Sequence, residues 1–171
     1  MTVFFCFTLT LKIHQMRKAT VLLFLCFPLF MCAQNAEYNL NSYLAEGTKA
    51  PNTHYIGEAW LNALLRADET LGYNITKATF KANSTLDWHK HTSPQVLIIV
   101  EGEGYYQEKG KQPIRMKVGD VLKCAPHTEH WHASSREKDV TYLAIYSGET
   151  EWTEVLSQES YDKVASQLKE Q

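Results

Sequence analysis

The stretch that decides the fold and the site reads Trp-His-Lys-His-Thr-Ser-Pro-Gln at residues 88–95. Alternate residues of a β-strand point to the same face of a sheet, so the side chains of His89 and His91 share one face. The Thr-Ser-Pro segment then turns the chain, which lets the next strand direct the side-chain oxygen of Gln95 toward the two imidazoles. Three donor groups are therefore expected close together within one short stretch.

A second stretch, His-Trp-His at residues 130–132, follows the same rule. His130 and His132 share one face of a strand, and Trp131 points to the opposite face, where it is expected in the core. Five of the six histidines after residue 33 lie between residues 89 and 132. A single histidine on a strand is usually an ordinary core or surface residue. Two pairs of histidines that converge from separate strands indicate instead that the imidazoles bind the same ion.

The convergence predicts one divalent transition metal. Three nitrogen donors and one oxygen donor suit Mn, Fe, Co, Ni or Zn and leave coordination positions open, as a catalytic metal requires. Cu is a further candidate when the metal binds outside the cytoplasm, because the Irving–Williams order gives Cu(II) the highest affinity for such ligands. Because Gln95 is neutral, a divalent ion keeps its full charge and favours an anionic oxygen ligand. The predicted ligands are His89, His91, Gln95 and His130, whereas His127 lies one face away and is not expected to bind.

The residues around these stretches form short strand-like runs broken by turn residues. Gly102 and Gly104 are expected to separate two of these runs, and Gly119 with Asp120 marks another turn. Such regular spacing predicts an all-β antiparallel sandwich or barrel. The runs are residues 73–81, 85–91, 95–100, 105–108, 114–117, 120–124, 130–133 and 140–146.

The barrel is assigned to residues 70–147, with a different pattern on either side. Residues 34–69 are interpreted as an N-terminal arm and edge strand, with the run from Gly57 to Leu65 favouring a strand. Residues 148–171 are interpreted as a C-terminal helical tail. Its apolar residues recur at helical spacing at Tyr161, Val164, Ala165 and Leu168.

Residues 1–33 have the composition of a secretory leader. Arg17 and Lys18 precede an uncharged apolar run over residues 19–30, and Met-Cys-Ala follows. We expect cleavage at the end of this segment, with Met16 as the true start, and a periplasmic or secreted protein. Lipidation at Cys32 fits less well, because Phe and Met precede it instead of small residues.

Charge and cysteine content exclude other classes of protein. The leader holds three of the 17 basic residues and no acid, so residues 34–171 keep 14 bases against 19 acids, a net charge of −5. A polybasic nucleic-acid-binding protein is excluded, and no membrane partner is expected once the leader is removed. Only Cys124 remains after the leader, so stability must come from a packed core or a metal and not from an internal disulfide.

The spacing of these residues resembles the two motifs of the cupin superfamily. Asn83-x5-His89-x-His91-x3-Gln95-x6-Gly102 is similar to the first motif, and Gly119-x5-Ala125-x-His127-x2-His130 to the second. The usual pattern has Gly at position 83, Glu at 95, Pro at 125 and Gly at 127. Asn at position 83 can adopt the left-handed conformation that Gly would provide. The resemblance implies a cupin jelly-roll barrel of six to eight strands with a C-terminal helix.

Within this superfamily the chain resembles small bacterial cupins that include manganese-dependent hydroxynitrile lyases. The resemblance implies manganese at the four predicted ligands, His132 beside it as acid/base, and a second catalytic position at Tyr142, where that family has histidine. A nearby cation should lower the pKa of His132 and make it a neutral base at pH 7. A homodimer is expected, since small cupins bury a sheet edge against a partner.

The predicted function is that of a metal-dependent lyase. The metal would hold the hydroxyl or carbonyl oxygen of a small substrate while His132 moves its proton. Two alternatives stay open at this point. A redox-active Fe or Cu in the same ligands would support a dioxygenase, and an inert metal would make the barrel a small-molecule binding module.

Overall fold

The computed structural model describes residues 40–169, which form a curled antiparallel sheet followed by one helix. The predicted all-β fold with a C-terminal helix is confirmed. Within this range, no helix is both long and apolar enough to cross a membrane. The leader predicted for residues 1–33 lies outside the described residues.

Twelve strands and one helix make up the described chain, and all strand pairs are antiparallel. One layer contains β1, β3, β4, β11, β9 and the first half of β7, and the other contains β2, β5, β6, β8, β10, β12 and the second half of β7. The bounds are β1 Thr48–Lys49, β2 Tyr55–Ile56, β3 Ala59–Leu65, β4 Asn74–Phe80, β5 Thr85–Leu86, β6 Trp88–His91, β7 Gln95–Glu108, β8 Ile114–Lys117, β9 Val121–Cys124, β10 His130–Ser134, β11 Val140–Tyr146, β12 Thr150–Glu154 and α1 Gln158–Lys169.

The long strand β7 belongs to both layers. The expected break between residues 100 and 105 is wrong, because the strand continues through both glycines. Gly102 has a φ of 70°, and a Cβ atom there would lie 1.9 Å from the carbonyl oxygen of Asp139. The register of β7 against β11 shifts at this point. Glycine therefore bends the strand from one layer into the other without ending it.

The C-terminal tail begins with a strand. β12 pairs with β6, and this pairing places Trp152 opposite His89. The helical spacing seen in the sequence applies only from Gln158 onward, whereas around Trp152 the exposed and half-buried residues alternate, as in an edge strand. Residues 148–171 thus supply one further strand to the sheet before the helix.

The helix covers the outer face of the sheet. Its predicted apolar residues Tyr161, Val164, Ala165 and Leu168 are all buried, which confirms the helical interpretation. They pack with Trp131, which is fully buried, and the hydroxyl of Tyr161 donates to the carbonyl oxygen of Ser134 at 3.0 Å. A second apolar cluster fills the space between the layers, next to the inward-facing histidines.

Replacement of the buried Leu168 by alanine should destabilise the protein, because it leaves a cavity between the helix and the sheet. We expect the free energy of unfolding in urea to fall by about 2–5 kcal/mol. The matched control is Lys163→Ala on the exposed side of the same helix, which should change it by less than about 0.5 kcal/mol. Equal effects of both substitutions would contradict this packing of the helix.

Candidate metal centre

Strand pairing brings the two histidine stretches together. β6 and β10 are antiparallel neighbours, and His89 lies directly opposite His130. His91 and His132 follow on the same inner face, since each lies two residues along its strand. Gln95 begins β7, which pairs with β10 along its second half. All five side chains are buried, so the predicted convergence takes place inside the barrel.

Donor atoms of three histidines and of Gln95 lie close enough to share one ion. Nitrogen atoms of His89, His130 and His132 all lie within 4.8 Å of one another. The side-chain oxygen of Gln95 is 2.9 Å from Nε2 of His130, and neighbouring ligands at about 2.1 Å from one ion are expected about 3.0 Å apart. The ring centre of His91 is 5.3 Å from that of His89 and 5.8 Å from that of His130.

Backbone oxygens hold three of the rings in place. Nδ1 of His89 donates to the carbonyl oxygen of Asp87 at 2.9 Å, and Nδ1 of His130 donates to that of Thr128 at 2.9 Å. His91 is hydrogen-bonded to the backbone of Glu149. A carbonyl oxygen only accepts, so Nδ1 carries the proton and Nε2 keeps a lone pair. Such outer partners orient imidazoles as metal ligands.

Two buried nitrogen atoms test whether the site fits a metal. Within residues 40–169, the buried side-chain polar atoms that have no hydrogen-bond partner are Nε2 of His91 and Nε2 of His132. A buried polar atom without a partner costs free energy, so native proteins rarely keep one without a reason. The residues present therefore fit a divalent transition metal, which would accept the lone pair of His91 and those of its neighbours.

Burial keeps these imidazoles neutral. It lowers the pKa of His130 to about 4, mainly through the loss of hydration. Burial, with the charge of the neighbouring imidazoles, lowers the pKa of His89 and His132 well below the usual value. Burial also lowers the pKa of His91. Only the neutral imidazole binds a metal, so the site is prepared for one at neutral pH.

A small cavity of about 80 Å³ opens onto the histidines. For comparison, an engineered cavity of about 150 Å³ holds one benzene molecule, so this cavity fits a smaller compound. Its lining includes the imidazoles of His89, His91 and His132 but, among the described residues, no lysine, arginine or carboxylate side chain. Besides the histidines and Gln95, its lining includes Tyr55, Leu61, Thr76, Ala78, Phe80, Leu86, Tyr142, Ala144, Tyr146, Thr150 and Trp152.

Two tryptophan residues lie near the sheet edge, and only one of them reaches the cavity. The indole nitrogen of Trp60 donates to Glu58, and Trp60 does not line the cavity. Trp152 takes a place in the wall instead, with its ring stacked on that of His54 at 4.2 Å. Recognition of β12 as a strand would have placed Trp152 beside the ligand strand. Asn83 does adopt the expected left-handed conformation, with a φ of 59°.

The side chain of Asp87 connects the start of β6 to the N-terminal arm and to the segment just before the helix. Its buried carboxylate accepts hydrogen bonds from Nδ1 of His54 at 3.1 Å and from the backbone N–H of Leu156 at 3.0 Å. Its carbonyl oxygen orients His89, as described above. The sequence contains no spacing signal for this residue, which lies between β5 and β6 where the predicted strand 85–91 is divided.

His132 and Tyr142, the two predicted catalytic residues, contact each other. Nδ1 of His132 lies 2.8 Å from the hydroxyl of Tyr142 in a fully buried hydrogen bond. The close three-histidine group contains His132, whereas the predicted ligand set contains His91. His91 and His132 line the same cavity, so their separate roles stay predictions. The side chain of His127 is exposed, and its backbone N–H donates to the carbonyl oxygen of His91 at 2.8 Å.

The comparisons with known proteins agree with this geometry. A family model described as a cupin domain matches residues 77–146. Acireductone dioxygenase of Bacillus pumilus is 26% identical over 76 residues, which is 42% of this chain and 43% of that protein. The chain thus matches less than half the length of this curated relative.

Solved structures share the architecture. A cupin-like protein from Thermotoga maritima has a TM-score of 0.68 and 28% identity, covering 72% of this chain and 97% of the other. A predicted oxalate decarboxylase from the same organism has a TM-score of 0.55 and 21% identity, covering 67% and 98%. Residues 77–146 therefore form a cupin domain.

His91→Ala should weaken metal binding, because it removes a buried nitrogen that has no partner other than a bound ion. We expect the dissociation constant for Co(II) or Zn(II), measured by competition with a chelator, to rise more than about 100-fold. His127→Asn is the matched control, since it removes an exposed imidazole and keeps a residue that tolerates the φ of 58° there. Similar losses in both variants would contradict the assignment of His91 as a ligand.

Proposed function

We propose that this protein is a metal-dependent lyase that acts on a small substrate with a hydroxyl or carbonyl oxygen. The observation that carries the proposal is the pair of partnerless nitrogen atoms, on His91 and His132, in one small cavity. One of them accounts for a metal and the other for a substrate group beside it.

His89, His91, Gln95 and His130 would hold the ion, and the resemblance favours manganese. When bound, a divalent metal supplies Lewis-acid stabilisation of negative charge on an oxygen atom. The protein adds no negative charge of its own, because Gln95 is neutral and no carboxylate lines the cavity among residues 40–169. An anionic oxygen is therefore the favoured partner in this site.

The remaining side chains hold the substrate in place and limit its size. Phe80, Leu86 and Trp152 contribute apolar walls, which exclude water and strengthen electrostatic interactions inside the cavity. His132 is placed to exchange a hydrogen with the substrate oxygen, as donor or as acceptor. The small volume favours short aliphatic substrates over aryl ones.

The test is an assay of metal-loaded protein with aliphatic and aryl cyanohydrins, in which release of cyanide and of the carbonyl product is measured. We expect turnover that needs the metal, that is faster for the small aliphatic compounds and that falls about 100-fold or more in His132→Ala. His127→Asn should retain full activity. Absence of turnover with Mn, Fe, Co, Ni, Zn and Cu would overturn the lyase proposal.

A dioxygenase is the second candidate, and the similarity to acireductone dioxygenase supports it. The same ligands would then hold a redox-active metal, and the substrate would be an electron-rich enediol or enolate. Oxygen uptake by the Fe(II)-loaded protein separates the two functions. Consumption of oxygen that depends on an enediol substrate would favour the dioxygenase, whereas cyanohydrin cleavage without oxygen uptake would favour the lyase.

A further inference from the structure

Four buried histidines lie close together, three of them in the cavity wall, and the partner of Nδ1 distinguishes them. An uncharged imidazole carries one proton, so a proton on Nδ1 leaves a lone pair on Nε2, and a proton on Nε2 leaves a lone pair on Nδ1. The group that contacts Nδ1 therefore decides what the ring presents to the cavity. A ring held by an acceptor presents a lone pair, and a ring held by a donor presents an N–H.

Three of the rings are held by acceptors. The partners of His89 and His130 are carbonyl oxygens, and the thiol of Cys124, 3.2 Å from Nδ1 of His130, donates to carbonyl oxygens instead. His91 is hydrogen-bonded to the backbone of Glu149, and the hydroxyl of Thr150 lies 3.5 Å from its Nδ1, at the limit of a hydrogen bond. Each of these rings presents the Nε2 lone pair that a metal needs. They are also the three histidines that the sequence assigns to the metal.

His132 differs from these three because, among the described residues, its Nδ1 has no backbone oxygen as a partner and instead makes a short contact of 2.8 Å with the hydroxyl of Tyr142. A hydroxyl can donate or accept, so its other contacts decide the direction. Within residues 40–169, Nδ1 of His132 is the sole hydrogen-bond partner of this hydroxyl. If the hydroxyl accepted from Nδ1, its own proton would be buried with no acceptor. Donation from Tyr142 to Nδ1 satisfies both groups.

We propose that Tyr142 is a positioning residue that fixes His132 with its proton on Nε2, as a hydrogen-bond donor to an anionic oxygen beside the metal. This inference rests on the proposed metal site and identifies the ligand class as small carboxylates, enolates or alkoxides. The partnerless Nε2 of His132 is then a donor, whereas that of His91 is a lone pair. A metal would accept the lone pair of His91, and an oxygen anion beside the metal would accept the hydrogen bond from His132.

The surroundings of Tyr142 support this direction. Its side chain is 1% exposed and packs on Phe80 with ring centres 5.8 Å apart. Burial raises the pKa of Tyr142 well above its usual value, so the phenol keeps its proton. A phenol that keeps its proton does not replace one lost from the imidazole. His132 thus holds its proton toward the substrate oxygen, in contrast to the base that the sequence suggests, and resembles the neutral electrophilic imidazoles of some enolising enzymes.

The test compares Tyr142→Phe with the wild-type protein by nitrogen NMR of the histidine rings, in the metal-free and Zn(II)-loaded forms. In the wild type we expect His132 to be protonated on Nε2 and the other three rings on Nδ1. Tyr142→Phe removes only the donor, so His132 should lose this preference in the metal-free protein. Tyr161→Phe removes another buried hydroxyl, whose acceptor is a backbone oxygen, and should leave the spectrum of His132 unchanged.

Acetate provides a second measurement, as a small anionic oxygen ligand. We expect both Tyr142→Phe and His132→Ala to weaken its binding to the Zn(II)-loaded protein about tenfold, the loss of one hydrogen bond to a charged group. Tyr161→Phe should bind acetate as the wild type does.

A proton on Nδ1 of His132 in the wild type, or an unchanged ring spectrum in Tyr142→Phe, would overturn the inference. Failure of the proposed function has a different signature. The wild type would then bind no metal or turn over no substrate, while the metal-free spectra would still show which nitrogen of His132 carries the proton.

Discussion

The pairing of β6 with β10 is the constraint on which the rest of the site depends. It sets His89 opposite His130, and the two-residue period of each strand then places His91 and His132 on the same inner face. A shift of β10 by one residue in this register would turn His130 and His132 toward the other face of the sheet, away from His89 and His91. The fully buried Trp131, which alternates with the two histidines of β10 and packs under the helix, opposes such a shift. The core on one side of the strand therefore secures the polar site on the other.

Histidine residues are proposed to serve two purposes here, metal binding and substrate recognition, because their Nδ1 atoms contact different kinds of partner. Carbonyl oxygens next to His89 and His130 come from the residues two positions before each histidine, so these anchors are part of the local strand geometry. The partner of His132 is a side chain on β11 in the other layer. In the proposed function, metal binding would thus depend on the local geometry of the ligand strands, and substrate recognition on a contact between the two layers.

Much of this arrangement could be predicted from sequence, because it follows from short-range periodicity. The alternation of histidines, the helical spacing from Tyr161 to Leu168 and the left-handed conformation of Asn83 are local properties. Contacts between distant segments could not be predicted in this way. Trp152 reaches the cavity only because β12 pairs with β6, and the continuity of β7 through Gly102 depends on the close approach of Asp139. The proton position on His132 likewise depends on a contact across ten residues of sequence and two layers of the sheet.

The hydrogen bonds of the Asp87 carboxylate limit how far the domain can be shortened. The carboxylate accepts hydrogen bonds from His54 in the N-terminal arm and from the backbone N–H of Leu156, which lies just before the helix. The carbonyl oxygen of Asp87 orients the ring of His89. A chain cut back to the matched family region, residues 77–146, would keep every predicted metal ligand yet lose both donors to this carboxylate and the helix that covers Trp131. The loop that orients His89 would then lose its anchors, and apolar surface would be exposed to water. The smallest unit that keeps the predicted site folded is therefore larger than the sequence motif, and both flanking segments belong to it.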